Sequence, residues 1–417
     1  MGAGTFVNER PLTETRKTST GPGRTVDMPL LVTVVALIVF GLIMMFSASW
    51  DYSLIHFLSP MYMFERQVMW LALGLVAAFL LSHFDYHHWR KLSILAMAVT
   101  ILLLIGVILF SDVRLGAKRN ICPAGSCQPS ELAKLVLILY LSVWLYAKQQ
   151  VLHQVSFGLI PLGVILGIVG GLIYLQPDLS AAATVLMMGG LLFFLAGADL
   201  KQIIFMLTAA VIAGWIVVQV SPTGHERVAE FLAGLKDPTQ ASYHIQRSFE
   251  AIVNGGWFGV GIGRAQSKLT GLPVPPTDSI FAVIIEELGL VGALFLVGLY
   301  ALLIWRGFVI ARRAPDMLGT LLATGLVSWI GLEASVNMAV IVGLLPFAGN
   351  ALPFVSAGGS NLIATLAAIG ILMNISRQRG EATNEEEWRS YGASVDLRGW
   401  NRRRRVSRPR RTPRLEE

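Results

Sequence analysis

The sequence predicts an all-α, polytopic membrane protein of about ten transmembrane helices, with one long extracytoplasmic loop between the seventh and eighth. Three observations carry that prediction. Apolar windows of about 20 residues recur along most of the chain, each enough for a helix to cross the hydrocarbon. Hydrophobic residues make up 54% of the chain and charged residues 14%, against roughly a quarter charged in a soluble domain. Lys and Arg cluster in segments that share one side once ten spans are counted.

Taken in order, residues 1–28 form a basic tail with Arg10, Arg16, Lys17 and Arg24. The first window, 29–49, is read as a span and not as a signal sequence, because it is long and no small-residue cleavage site follows it. Spans follow near 65–82, 92–110, 131–147, 155–175, 180–196, 201–220, 279–305, 317–343 and 359–376. Arg90 and Lys91 follow the second span, and Arg312 and Arg313 follow the eighth. Both termini are therefore expected in the cytoplasm. Residues 377–417 carry "RRRR" and "RPRR" and supply most of the net charge of +7. This tail reads as disordered, with membrane lipid as its expected contact and no nucleic acid.

The loop 221–278 is not low in complexity. Ile245, Phe249 and Ile252 recur at helical spacing, which predicts a short amphipathic helix. "GGWFGVGIG" follows it. No strand precedes these glycines, so they signal turns or close backbone approach and not a dinucleotide fingerprint. Cys122 and Cys127 sit in the loop before span four. An oxidising exterior permits a disulfide there; the alternative is two unpaired thiols. Two cysteines without histidines are too few for structural zinc.

Polar residues gather at the outer ends of the spans. They include Lys118, Arg119, Gln128, Glu131, Lys134, Asp178, Arg227, Arg247, Lys268, Ser356 and Ser360. Cations held on the disfavoured side point to a bound anion, with phosphate foremost. The plainer alternative is interfacial snorkelling and surface pairing. Asp278 follows "LPVPP", a stretch that cannot be helical throughout. Thr277 or Asp278 is thus a natural N-cap for span eight, and Asp278 is equally a candidate general base at the membrane boundary. Glu286 and Glu287 lie about 12–13 Å further along the helix. They read as buried structural partners of Lys134 or of arginines on other spans, with a proton relay as the alternative.

Five motifs in order resemble the SEDS family (FtsW, RodA and SpoVE) over nearly all of residues 29–376. They are "GAKRN…QPSELAKL", "QPDL", "IQRSFEAIVNGGWFGVGIG", "LP…TDSIFAVIIEELG" and "GLLPFAGNALPFVSAGGS". "FSAS", "EELGL" and "NISR" resemble the FtsW/SpoVE branch more than RodA. The resemblance implies a peptidoglycan glycosyltransferase of the bacterial cytoplasmic membrane. It would polymerise lipid II, with Asp278 as its essential aspartate and a class B penicillin-binding protein and other division proteins as partners. Lys118, Arg119, Arg227, Arg247 and Lys268 are then the candidates for pyrophosphate, with Gln128, Ser356 and Ser360 as further substrate contacts and Glu131, Lys134 and Asp178, like Glu286 and Glu287, as structural residues within the membrane. A divalent cation, Mg or Mn, would suit that chemistry, although no residue set identifies a metal site. The chain departs from the family pattern at Asn120, Ser180, Ser279, Glu333 and Ala357. A lipid II flippase and a non-catalytic scaffold of a division complex are the two rival classes.

Overall fold

A computed structural model describes residues 26–110 and 128–378. Lys118, Arg119, Asn120, Cys122 and Cys127 lie outside the described residues, as do both tails. Among the described residues the regular structure is entirely helical. Eight helices are long and apolar enough to cross a membrane. They are α1 (Met28–Phe57), α2 (Tyr62–His83), α3 (Trp89–Phe110), α4 (Pro129–Lys148), α7 (Leu200–Val220), α10 (Ile280–Arg312), α11 (Met317–Ile341) and α12 (Gly359–Arg377). Two more apolar helices, α5 (Leu159–Tyr174) and α6 (Leu179–Leu195), are shorter. The segment read as a loop at 221–278 holds two helices of its own, α8 (Pro222–Lys236) and α9 (Tyr243–Gly255). α9 falls where the Ile245, Phe249, Ile252 spacing predicts a helix, and it packs on α10. α8 was not anticipated, since its Pro222-Thr-Gly start reads as a turn.

α10, α11 and α12 form the buried centre, with α1, α2, α4 and α6 packed around them. α7 stands apart: of its residues only Gln202 is buried. At the end away from Asp278, Tyr86 donates to Asp316 (2.8 Å), and His87 lies between Asp85 (2.7 Å) and Asp316 (3.2 Å). Asn374 donates to the Ser82 carbonyl and accepts from the Tyr86 N–H. These bonds tie the start of α3 and the end of α2 to α12 and to the α10–α11 turn.

The feature that organises the other end is a break in α10. Gly289 has φ 69° and ψ −172°, far from helical values. A break frees helical carbonyls and N–H groups, which cost free energy if left unpaired away from water. The glycine-rich loop after α9 pairs them. The N–H groups of Val260 and Gly261 donate to the Glu286 and Glu287 carbonyls, while Leu290 and Val291 donate to the Gly256 and Trp257 carbonyls. This approach requires glycine on both sides. A Cβ at Gly289 would lie 2.3 Å from the Trp257 carbonyl oxygen, and one at Gly259 would lie 2.2 Å from that of Glu287.

Gly289→Ala should therefore lower thermal stability in detergent markedly, by about 2–4 kcal/mol. Gly298→Ala is the control, because its Cβ would meet nothing within 4 Å on the same helix. Equal melting temperatures for the two variants would contradict the docking of loop on break.

Candidate functional site

Glu286 and Glu287, the two acids just before the break, face different partners. Glu286 accepts from the N–H groups of Gln266 (2.9 Å) and Ser267 and from the Ser267 hydroxyl. Glu287 pairs with Lys268 Nζ (2.8 Å) and accepts from the Ser47 hydroxyl of α1 (2.7 Å). Ser47 Oγ in turn accepts from the Gly263 N–H. The two acids pin the loop to α10 and α1, so their partners are Ser267, Lys268 and Ser47 and not Lys134. Lys268 is consequently removed from the phosphate-binding candidates. Its side chain is 3% exposed, and its charge is matched by a fully buried carboxylate.

Beyond these acids, residues 273–278 lead back to the start of α10. The N-cap position falls on Ser279, whose hydroxyl donates instead to the Pro273 carbonyl (2.8 Å). Asp278 is one residue earlier and is not the cap. It is half-buried and is held from three sides. The Asn337 amide on α11 donates to the backbone carbonyls of Asp278 (3.0 Å) and Asn350 (2.6 Å). The Ser356 hydroxyl donates to the Thr277 carbonyl (2.7 Å), and the Ala357 N–H donates to the Pro276 carbonyl (2.8 Å). Gly349 lies against the carboxylate: a Cβ there would stand 2.9 Å from Asp278 Oδ2. Ser356 is buried, and its hydroxyl also accepts from the Leu352 N–H. It therefore acts as a staple and not as a substrate contact.

Asp278 lines a cavity of about 670 Å³, together with Arg66, Gln67, Trp70, Gln128, Glu131, Lys134, Asp178, Arg227, Glu333, Ser360 and Asn361. Its lining includes a buried charge cluster. Lys134 Nζ lies 2.9 Å from Glu131 Oε1 and is bonded also to Glu333, while Asn361 donates to both carboxylates. Two carboxylates thus share one ammonium. Asp178 caps α6 through the Ala181 N–H and accepts from the Gln128 amide (2.8 Å). The Ser360 hydroxyl accepts from the Gln128 N–H.

The cations divide differently from the sequence expectation. Arg227 is at the cavity, and its guanidinium lies 5.6 Å from the Phe347 ring centroid. His244 stacks on that same ring, and burial and then the Arg227 charge hold its imidazole below the ordinary value. Arg247 does not line the cavity; it bonds Glu250 (2.7 Å) and Tyr243 on the surface of α9. Arg66, on the first turn and a half of α2, lines the cavity and escaped the sequence reading. The signal for it is its place, a lone arginine at the outer start of the second apolar window. Asn337 was missed for another reason: a single amide inside the apolar run "SVNMAV" carries no pattern. Among the described residues, no group of three or more His, Cys, Asp or Glu comes together as a metal-ligand set.

Lys134→Met would leave Glu131 and Glu333 buried without a counter-charge, and should destabilise the protein by roughly 3–5 kcal/mol. Glu333→Gln keeps the Lys134–Glu131 pair and an oxygen that can accept from Lys134, so its cost should stay within about 1 kcal/mol. Melting curves in one detergent compare them directly. A tolerated Lys134→Met would show that the cluster is not charge-coupled.

Comparison with known proteins places these features in context. Residues 28–381 match a family model for FtsW, RodA and SpoVE, described as "Cell cycle protein". A "Probable peptidoglycan glycosyltransferase FtsW" of Geobacter sp. (strain M18) is 37% identical over 360 residues, covering 85% of this chain and 98% of its own. Stage V sporulation protein E of Bacillus subtilis is 35% identical over 358 residues, covering 84% and 97%. One chain of a structure described as "Structural coordination of polymerization and crosslinking by a peptidoglycan synthase complex" superposes with a TM-score of 0.70 at 29% identity, covering 86% and 99%. The crystal structure of the Thermus thermophilus rod shape determining protein RodA gives 0.64 at 26%, covering 86% and 98%.

Proposed function

The chain belongs to the FtsW/RodA/SpoVE family and is a peptidoglycan glycosyltransferase; we propose that it polymerises lipid II with Asp278 as general base, on the extracytoplasmic face of the bacterial cytoplasmic membrane. Both termini then face the cytoplasm across ten spans. The observation that carries this reading is the shared cavity, which Asp278, Arg66 and Arg227 line together. Lipid II offers a disaccharide-peptide on a polyprenyl pyrophosphate. Asp278 takes the proton from the 4-hydroxyl of the acceptor GlcNAc as that oxygen attacks the anomeric carbon of the donor. The C–O bond to pyrophosphate breaks, and the anomeric centre inverts. The leaving group departs as an anion, so it needs positive charge more than a proton. Arg66 and Arg227 supply that charge. Lys118 and Arg119 remain candidates on sequence grounds.

The Glu131–Lys134–Glu333 cluster sets two carboxyl groups around one ammonium, so it is a poor seat for pyrophosphate. It fits a hydroxyl-rich glycan and fixes α4, α11 and α12 around the cavity. The poorly packed α7 leaves apolar surface to the bilayer, where the polyprenyl chain resides. A class B penicillin-binding protein transpeptidase is the expected partner, and septal wall synthesis the expected setting.

Asp278→Asn keeps the shape of the side chain and removes its proton acceptance, and the bonds from Asn337 and Ser356 survive because they go to backbone carbonyls. Polymer formed from purified lipid II should fall by about 10²–10⁴ in a protein that still folds. Arg66→Ala should lose about tenfold or more, the worth of one charge-assisted hydrogen bond. Near-normal polymer from the Asn variant would reject Asp278 as the base. A protein that moves lipid II across vesicles but makes no glycan would favour the flippase reading.

A further inference from the structure

The long segment between α7 and α10 is not wholly a water-exposed loop. We infer that its glycine-rich part, residues 256–264, is seated in the interfacial layer of the bilayer, with Trp257 and Phe258 inserted among lipids as an anchor. This goes beyond the glycosyltransferase reading and does not depend on Asp278.

Two contacts between α1 and α10 set the height of the segment. Asp27 and Arg306 form a paired contact (2.7 Å) joining α1 to α10 at one end. Ser47 and Glu287 join the same two helices at the other. Between these levels neither helix carries a charged residue: residues 28–46 and 288–305 are uncharged. Twenty residues of α1 rise about 30 Å, and the seventeen from Gly289 to Arg306 rise about 26 Å. Both match a hydrocarbon thickness of about 30 Å. The break at Gly289 therefore stands at the hydrocarbon boundary on the cavity side, and the loop that pairs with it is fixed at that level.

The side chains at that level fit an interface. Trp257 is 68% exposed and Phe258 83%, on a backbone held by four hydrogen bonds. Ile262, Arg264 and Leu269 are also exposed in the residues that follow. Directly below on α10, Leu290, Val291 and Leu294 continue the apolar surface. Large aromatic rings with a neighbouring arginine, above aliphatic residues, suit the layer where acyl chains meet phosphates. Exposed to water, the same patch would be costly. The anchor would fix the height of the 273–278 segment, and with it the mouth of the cavity, relative to the lipid phosphates.

The test uses the full chain in vesicles of phosphatidylethanolamine and phosphatidylglycerol. The fluorescence of Trp257 is the difference between wild type and Trp257→Phe. Lipids brominated near the headgroup should quench it at least about twice as strongly as lipids brominated near the chain ends, and aqueous iodide should have little effect. Strong iodide quenching would place the residue in water and overturn the inference. Stronger quenching by the deep bromines would place it in the bilayer interior and overturn it as well. The measurement is repeated on protein extracted and reconstituted with its bound partners. Loss of bromolipid quenching there would mean that a protein covers the patch, which also overturns it.

Discussion

The break of α10 at Gly289 is the constraint from which the rest of this structure follows. A helix interrupted near the membrane must have its freed carbonyl and N–H groups paired, and here a loop of glycines pairs four of them. That pairing fixes the loop, and the loop fixes Ser267 and Lys268 against the two glutamates. The same half-helix that carries those glutamates begins next to Asp278. The position of the proposed base is thus set from below by the break and from the sides by Asn337 and Ser356. A side chain at Gly289 or Gly259 would disturb all of these at once.

The buried charges separate into two groups with different consequences. Glu287 and Lys268 are matched one to one and almost fully enclosed. Such a pair gives little net stability, but leaving one partner alone is costly, so it specifies a geometry. Glu131, Lys134 and Glu333 are matched two to one and line the cavity. The cavity thus holds both this carboxyl-rich cluster and two guanidinium groups, Arg66 and Arg227.

Much of the architecture was legible in the sequence, because apolar length and charge position are one-dimensional signals. The α-helical class, the amphipathic α9 and the gathering of polar residues at one end could all be read directly. Pairings could not. Glu287 and Lys268 are 19 residues apart across a proline-containing loop, and nothing in the intervening sequence states that they meet. Lys268 and Ser356 therefore looked like substrate contacts, although one is an enclosed counter-ion and the other a backbone staple. Asp278 was read correctly as lying beside a helix start, but the cap position moved to Ser279, because the Pro-Pro turn extends one residue further than composition indicates. The break itself was hidden, since "EELGL" continues an apolar helical pattern and a single glycine is tolerated in many helices.

The most direct measurement is amide hydrogen exchange across residues 256–296 in the full-length, membrane-embedded protein. If the loop closes the break, the amides of Val260, Gly261, Leu290 and Val291 should exchange as slowly as those of Ala293–Leu296 in the continuous helix. Such protection reflects opening that approaches the global stability rather than local fraying. Exchange at these four amides as fast as at the exposed, unpaired parts of the loop would mean that the break is open. Closure of the break would then not be what holds Asp278 in place.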